Sequence, residues 1–194
     1  MNVANLLEYR DSRETPVLVL VDLHAGMLSA DEMASDNVTA VIENCRTVLA
    51  HARSLALPIA FMRQTAPAQS MLETRPCPTW IKGFEPRRSD MVFDRAMPSC
   101  YTNVEFAKMI ERTSRNLVLA GLSAEMSGLS TVIEAFNRHH QVTYLSDACH
   151  CGSYRYFGPD ELEKSIATVL SLYGAISSAA AWIDISAREL AVSA

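Results

Sequence analysis

An aspartate directly after a run of aliphatic residues, Val-Leu-Val-Leu-Val-Asp22, stands where a carboxylate loses hydration. Such a group pairs with a cation or carries a proton with a raised pKa, and its plainer alternative is a turn or helix-cap residue. In Gly121-Leu-Ser-Ala-Glu-Met-Ser127-Gly128, Ser127 falls where a strand passes through a tight turn into a helix. Free backbone N–H groups and the positive end of a helix dipole stabilise an oxyanion or thiolate there, although serine is equally a favoured cap. A serine nucleophile also needs a base, and sequence position places no histidine beside Ser127. Asp147, after Ser146, reads more simply as strand-ending turn chemistry.

Other chemical groups have competing readings. Cys149-His150-Cys151 resembles a ligand cluster, but neighbouring side chains alternate in direction and no fourth ligand is evident. A packed loop is expected there, with no metal and no cofactor. His139-His140 falls at a helix end, where a cation suits the dipole. Trp80, Phe84 and Tyr101 either shape an apolar pocket or close the core beneath a proline-rich loop. Arg75, Arg87 and Arg88 either hold a substrate carboxylate or are solvated surface charge.

The elements that must position these groups alternate regularly. Pro16 to Asp22 reads as a strand buried on both faces. Val38, Val41, Ile42, Cys45, Val48, Leu49 and Ala52 form one helical stripe. Leu57–Met62 is a second strand, Thr65–Glu85 a long irregular excursion, and Asp90–Asp94 a third strand. A helix near Asn103–Arg112 precedes a fourth strand, Asn116–Gly121. The next helix carries Leu129, Val132, Ile133 and Phe136 on one face. Gln141–Asp147 is a fifth strand, Gly158-Pro159 opens a further helix, and Ala175–Ser178 is a sixth strand before a terminal helix. This pattern predicts an α/β fold: a three-layer, doubly wound Rossmann-like sandwich on a six-stranded, mostly parallel sheet, occupying residues 1–194 as one domain. Ligands of such sheets bind at the carboxyl ends of the strands, which gathers Asp22, Arg95, the residues after Gly121 and Asp147.

Composition fits that architecture. The 194 residues are 49% apolar and 20% charged, with 17 basic and 22 acidic side chains, a formal charge of -5. No basic stripe suits nucleic acid or an anionic membrane, so a small-molecule substrate is expected. The longest apolar runs are too short to span a bilayer, and the charged leader is no signal-peptide core. Five cysteines, an odd number, suit reduced thiols and a cytoplasmic location.

Four motifs in order resemble the isochorismatase-like hydrolase superfamily: Val-Leu-Val-Asp22-Leu-His24; Asp94-Arg95 ahead of Tyr101; Gly121-Leu-Ser-Ala-Glu-Met-Ser127 with Thr131 and Ala135; and Ser146-Asp147-Ala148. The resemblance runs from about Pro16 to Ile183 and itself implies a Rossmann-like six-stranded sheet. In the cysteine-hydrolase branch it implies an Asp, Lys and Cys triad, which places Asp22 at the Asp position, Arg95 at the Lys position and Ser127 at the Cys position. Arginine keeps the charge but stays protonated, and an alcohol ionises far less readily than a thiol of pKa about 8.5. The isochorismatase branch implies instead general acid catalysis by the Asp, with water attacking a vinyl ether. It also implies substrate contacts from Gln64, and His24 occupies a position where that branch usually has Gln. A hydrolase acting on a small metabolite, an anionic one among the options, follows, with Asp22, Arg95 and Ser127 as catalytic residues. The substrate would be lined by His24, Gln64, Trp80, Tyr101 and Ser123. The resemblance further implies a cis Leu122–Ser123 peptide, no zinc site of the nicotinamidase kind, and a homo-oligomer. A silent family member that binds a ligand or partner, and a Cys-to-Ser variant of an amidase, are the alternatives.

Overall fold

The computed structural model describes residues 15–33, 35–65, 79–152 and 158–193. Six strands form one parallel sheet: β1 (Val17–Val21), β2 (Ile59–Gln64), β3 (Met91–Arg95), β4 (Asn116–Gly121), β5 (Gln141–Cys149) and β6 (Ala175–Ser177), in the order β3-β2-β1-β4-β5-β6. Strand β1, Ile59–Met62 of β2 and Leu117–Gly121 of β4 read as unbroken apolar runs because both faces are covered. Val17, Val19 and Val21 enter one core, and Leu18 and Leu20 the other.

The main helices are α1 (Asp36–Ser54), α2 (Val104–Thr113), α3 (Leu129–Asn137), α4 (Pro159–Leu170) and α5 (Ala179–Ser193), with a single helical turn at Ala30–Met33. Helices α1 and α5 pack on one face of the sheet, and α2, α3 and α4 on the other. All seven positions of the expected α1 stripe are buried, and Ser35 caps the helix by accepting from the Val38 N–H. Helix α3 departs from expectation. Its buried residues are Thr131, Val132 and Ala135, while Phe136 stands half in solvent against Tyr173. Val132 and Ala135 join the core beside the sheet and Leu129 packs against it, so only the first half of the expected stripe is covered.

The chain runs outward from β1 through β2 to β3, then returns to place β4 on the other side of β1. This reversal opens the crevice in which doubly wound sheets bind ligands. Backbone contact there is very close. An added Cβ on Gly121, whose φ is +136°, would lie 2.1 Å from the Val21 carbonyl oxygen. The expected cis Leu122–Ser123 peptide is not found, since the described residues contain no cis bond. Gly121 and Ser123, at φ +57° and ψ 45°, turn the chain through positive φ instead. No helix among the described residues is long and apolar enough to cross a membrane.

Replacing Gly121 by alanine is expected to destabilise the protein by about 3 kcal/mol or more, through both the clash and the unfavourable φ. Urea unfolding measures this, and a change below about 0.5 kcal/mol, the level of an ordinary surface substitution, would contradict the packing at this crossing.

Candidate active site

Asp22 terminates β1 in a left-handed conformation, φ +58°, which aspartate tolerates better than most residues. Its N–H donates to the Met62 carbonyl at 2.8 Å, anchoring the turn to β2. The side chain is fully buried. Oδ1 accepts from the Gln64 N–H at 2.7 Å, and Oδ2 accepts from Arg95 Nη2 at 2.5 Å and from Ser127 Oγ at 2.9 Å. A buried carboxylate needs such donors, because desolvation otherwise disfavours its charge.

Arg95, the last residue of β3, is 3% exposed. Its Nη2 also donates to Ser127 Oγ at 2.8 Å, closing a triangle of three side chains from separate parts of the chain. Nη1 donates to the Met97 carbonyl at 2.8 Å and reaches Gln64 Oε1 at 3.4 Å. A guanidinium has five N–H donors, and these contacts occupy all but the one on Nε, which is buried without a partner. The guanidinium charge therefore faces Asp22 and is not presented to an incoming anion.

Ser127 is fully buried and lies in a π-helical turn, Ala124–Gly128. Three successive N–H groups, from Met126, Ser127 and Gly128, converge on the Ser123 carbonyl. The wider turn rotates Ser127 inward, and π-bulges of this kind recur at functional sites. The side chain caps no helix; its hydroxyl donates to Asp22 and accepts from Arg95. Asp147 is the capping residue: its Oδ1 accepts from the Ala179 N–H at the start of α5.

The other expected site residues divide. His24 is 3% exposed, with Nε2 3.9 Å from Asp22 Oδ1, and Gln64 sits between Asp22 and Arg95. Trp80 is partly buried, edge-on to His24 and Phe61, with Arg63 stacked on its ring. Ser123 shapes the turn through its backbone. Tyr101 is a correction. Its ring packs on Phe106 in the core, and its hydroxyl is 2.8 Å from Nδ1 of His140, which directly precedes β5, so it lines no pocket at the carboxyl ends. Phe84 is likewise in the core, and Arg87 and Arg88 are exposed. Arg75 lies outside the described residues. The Gln64 N–H and the Met97 carbonyl were not expected in the site, because backbone groups carry no sequence signature.

Among the described residues, no thiol joins the triangle. Cys100 is nearest in electrostatic terms, but burial pushes its pKa up to about 11, with Arg95 pulling it down and Asp22 raising it. Burial raises Cys45 to about 12 and holds Cys149 and Cys151 well above the ordinary thiol value, Asp147 and Glu125 respectively adding to the effect. His150 Nδ1 is bound to Glu163 at 2.9 Å, and no group of three or more possible metal ligands occurs among the described residues.

Residues 16–174 match the family model described as "Isochorismatase domain". Curated proteins provide no matching sequence. Solved structures do share the fold. An isochorismatase from Pseudomonas putida KT2440 is similar with a TM-score of 0.74 at 18% identity, over 86% of this chain and 89% of that one. A cysteine hydrolase from Pseudomonas syringae pv. phaseolicola gives 0.76 at 14% identity, over 88% and 91%. An isochorismatase family protein from Burkholderia thailandensis gives 0.66 at 18%, over 86% and 92%.

Two measurements check this site. Asp22→Ala strands a buried guanidinium and is expected to cost about 3–5 kcal/mol in urea unfolding, much of it recovered in Asp22→Ala/Arg95→Met; equal losses in both would argue against the ion pair. At pH 8, iodoacetamide should leave Cys45, Cys100, Cys149 and Cys151 unlabelled in the native protein and modify them after denaturation. Rapid native labelling of any of them, read by peptide mass spectrometry, would contradict their burial.

Proposed function

Because the chain belongs to the isochorismatase family of hydrolases, we propose that it hydrolyses a small polar metabolite at the Asp22–Arg95–Ser127 triangle by addition of water, without a covalent intermediate. The observation that carries this reading is the shared hydrogen-bonding of one fully buried carboxylate by a guanidinium and a hydroxyl. Asp22 is the acid/base carboxylate. Arg95 fixes its orientation and balances its charge, and Ser127 donates to the same carboxylate oxygen, Oδ2. Serine is a poor nucleophile here because its O–H points at a carboxylate, a much weaker base than imidazole.

Most N–H donors of Arg95 are already engaged, which favours a neutral substrate, such as a primary amide or a vinyl ether, over an anion gripped by the guanidinium. His24, Gln64 and Trp80 form the adjoining substrate wall in this reading. It includes a cytoplasmic homo-oligomer: the four cysteines among the described residues are unpaired, and Val104, Phe136 and Leu172 present apolar side chains to solvent. The mutual saturation of the triangle favours a second reading, a silent member that binds a ligand on the inherited pocket.

A panel of primary amides, vinyl ethers including isochorismate, and p-nitrophenyl acetate separates these readings. Asp22→Asn is expected to lower kcat by about 10²-fold or more, the scale of lost acid–base catalysis, while Ser127→Ala keeps turnover within about tenfold. Loss in Ser127→Ala comparable to that in Asp22→Asn would indicate a serine nucleophile. Binding of panel compounds without turnover would support the silent reading.

A further inference from the structure

The geometry points to His24 as the general base that draws the proton from the attacking water, a role that rests on the hydrolytic reading above and sharpens it. His24 Nδ1 lies 3.1 Å from the Ala25 carbonyl oxygen. A carbonyl only accepts, so this nitrogen is the one that carries hydrogen, and in the neutral ring Nε2 is a bare acceptor. That Nε2 atom is buried without any hydrogen-bond partner. An unpaired buried acceptor is costly, and one in a native fold calls for an explanation.

The ring has little freedom. His24 forms an isolated antiparallel bridge with Trp80, flanked by bonds from Ala25 N–H to the Thr79 carbonyl at 2.6 Å and from Ile81 N–H to the Leu23 carbonyl at 3.0 Å. The Trp80 ring meets the imidazole edge-on, with centroids 6.4 Å apart. Nε2 is thereby held 3.9 Å from Asp22 Oδ1. Two acceptors at this separation cannot bond to each other, but one water with O–H···acceptor arms of about 2.8 Å spans both. Among charged groups, Asp22 adjoins the imidazole directly. Arg95 is bound to the same carboxylate, and Arg63 is stacked on the Trp80 ring at 5.2 Å.

The chemistry then divides between two residues. Imidazole, with an ordinary pKa of about 6.5 against about 3.9 for a carboxylate, is the better base near neutrality. With an amide substrate, the water oxygen bonds to the carbonyl carbon as its proton passes to Nε2 and the C=O π pair moves onto the carbonyl oxygen. Asp22 holds the other O–H, takes that proton as the intermediate collapses, and balances the imidazolium. The first proton then moves from Nε2 to the leaving nitrogen as the C–N bond breaks and C=O re-forms, the C–N pair staying on nitrogen. Water is the sole co-reactant.

Long-range ¹H–¹⁵N spectra of histidine-labelled protein test the starting state without substrate. At pH 9 a bare Nε2 and a hydrogen-bearing Nδ1 are expected. An Nε2–H neutral ring would overturn the proposal. On the panel compound turned over fastest, His24→Gln should lower kcat about 10²-fold, a larger change than in KM. Turnover lost in Asp22→Asn but intact in His24→Gln removes only the role of His24. Absence of wild-type turnover across the panel removes the hydrolytic reading and this role together.

Discussion

The buried pair of Asp22 and Arg95 is the interaction around which the site is organised. Neither side chain reaches solvent, so their attraction is set against a large loss of hydration. That balance is favourable only when the remaining polar atoms are also satisfied. The Gln64 N–H, the Met97 carbonyl and the Ser127 hydroxyl, each from a different segment, meet this requirement for all but Arg95 Nε. The ion pair therefore demands accuracy from β1, β2, β3 and the turn after β4 together. The left-handed backbone at Asp22 and Ser123 follows from the same demand, as strained conformations persist where the surrounding structure over-determines them.

The arginine and the serine of the triangle set the character of the site. A lysine ammonium is a compact charge, whereas the Arg95 fork holds Asp22 and Ser127 with one nitrogen and Met97 and Gln64 with the other. The cation becomes a brace for the carboxylate. With the described thiols buried and raised in pKa, the groups that remain suit proton transfer and orientation better than covalent attack.

Much of this was legible in the amino-acid order, for identifiable reasons. Strands covered on both faces announce themselves as aliphatic runs, so β1 and β4 were plain, and the long α1 stripe repeats often enough to specify its buried face. Placing Asp22 and Arg95 together followed from strand ends meeting at one rim. The nine residues of α3 are too few for periodicity to fix a face: Val132 is buried as its spacing predicts, but Phe136 is half exposed while Ala135 is covered. Tyr101 was misplaced because proximity to Arg95 in sequence says nothing of direction: the chain folds through a 3-10 turn, and the hydroxyl meets His140. The expected cis peptide came from resemblance alone, and the left-handed Ser123 performs the reversal in its stead.

The strand order has a temporal consequence. Asp22 and Ser127 are 105 positions apart, and β4 must dock beside β1 before they meet. A ribosome-bound chain emerging from its N-terminus can pair β1, β2 and β3 long before the serine turn exists. The triangle is thus a late product of synthesis, and a nascent fragment ending before β4 lacks its third corner however well its own strands have paired.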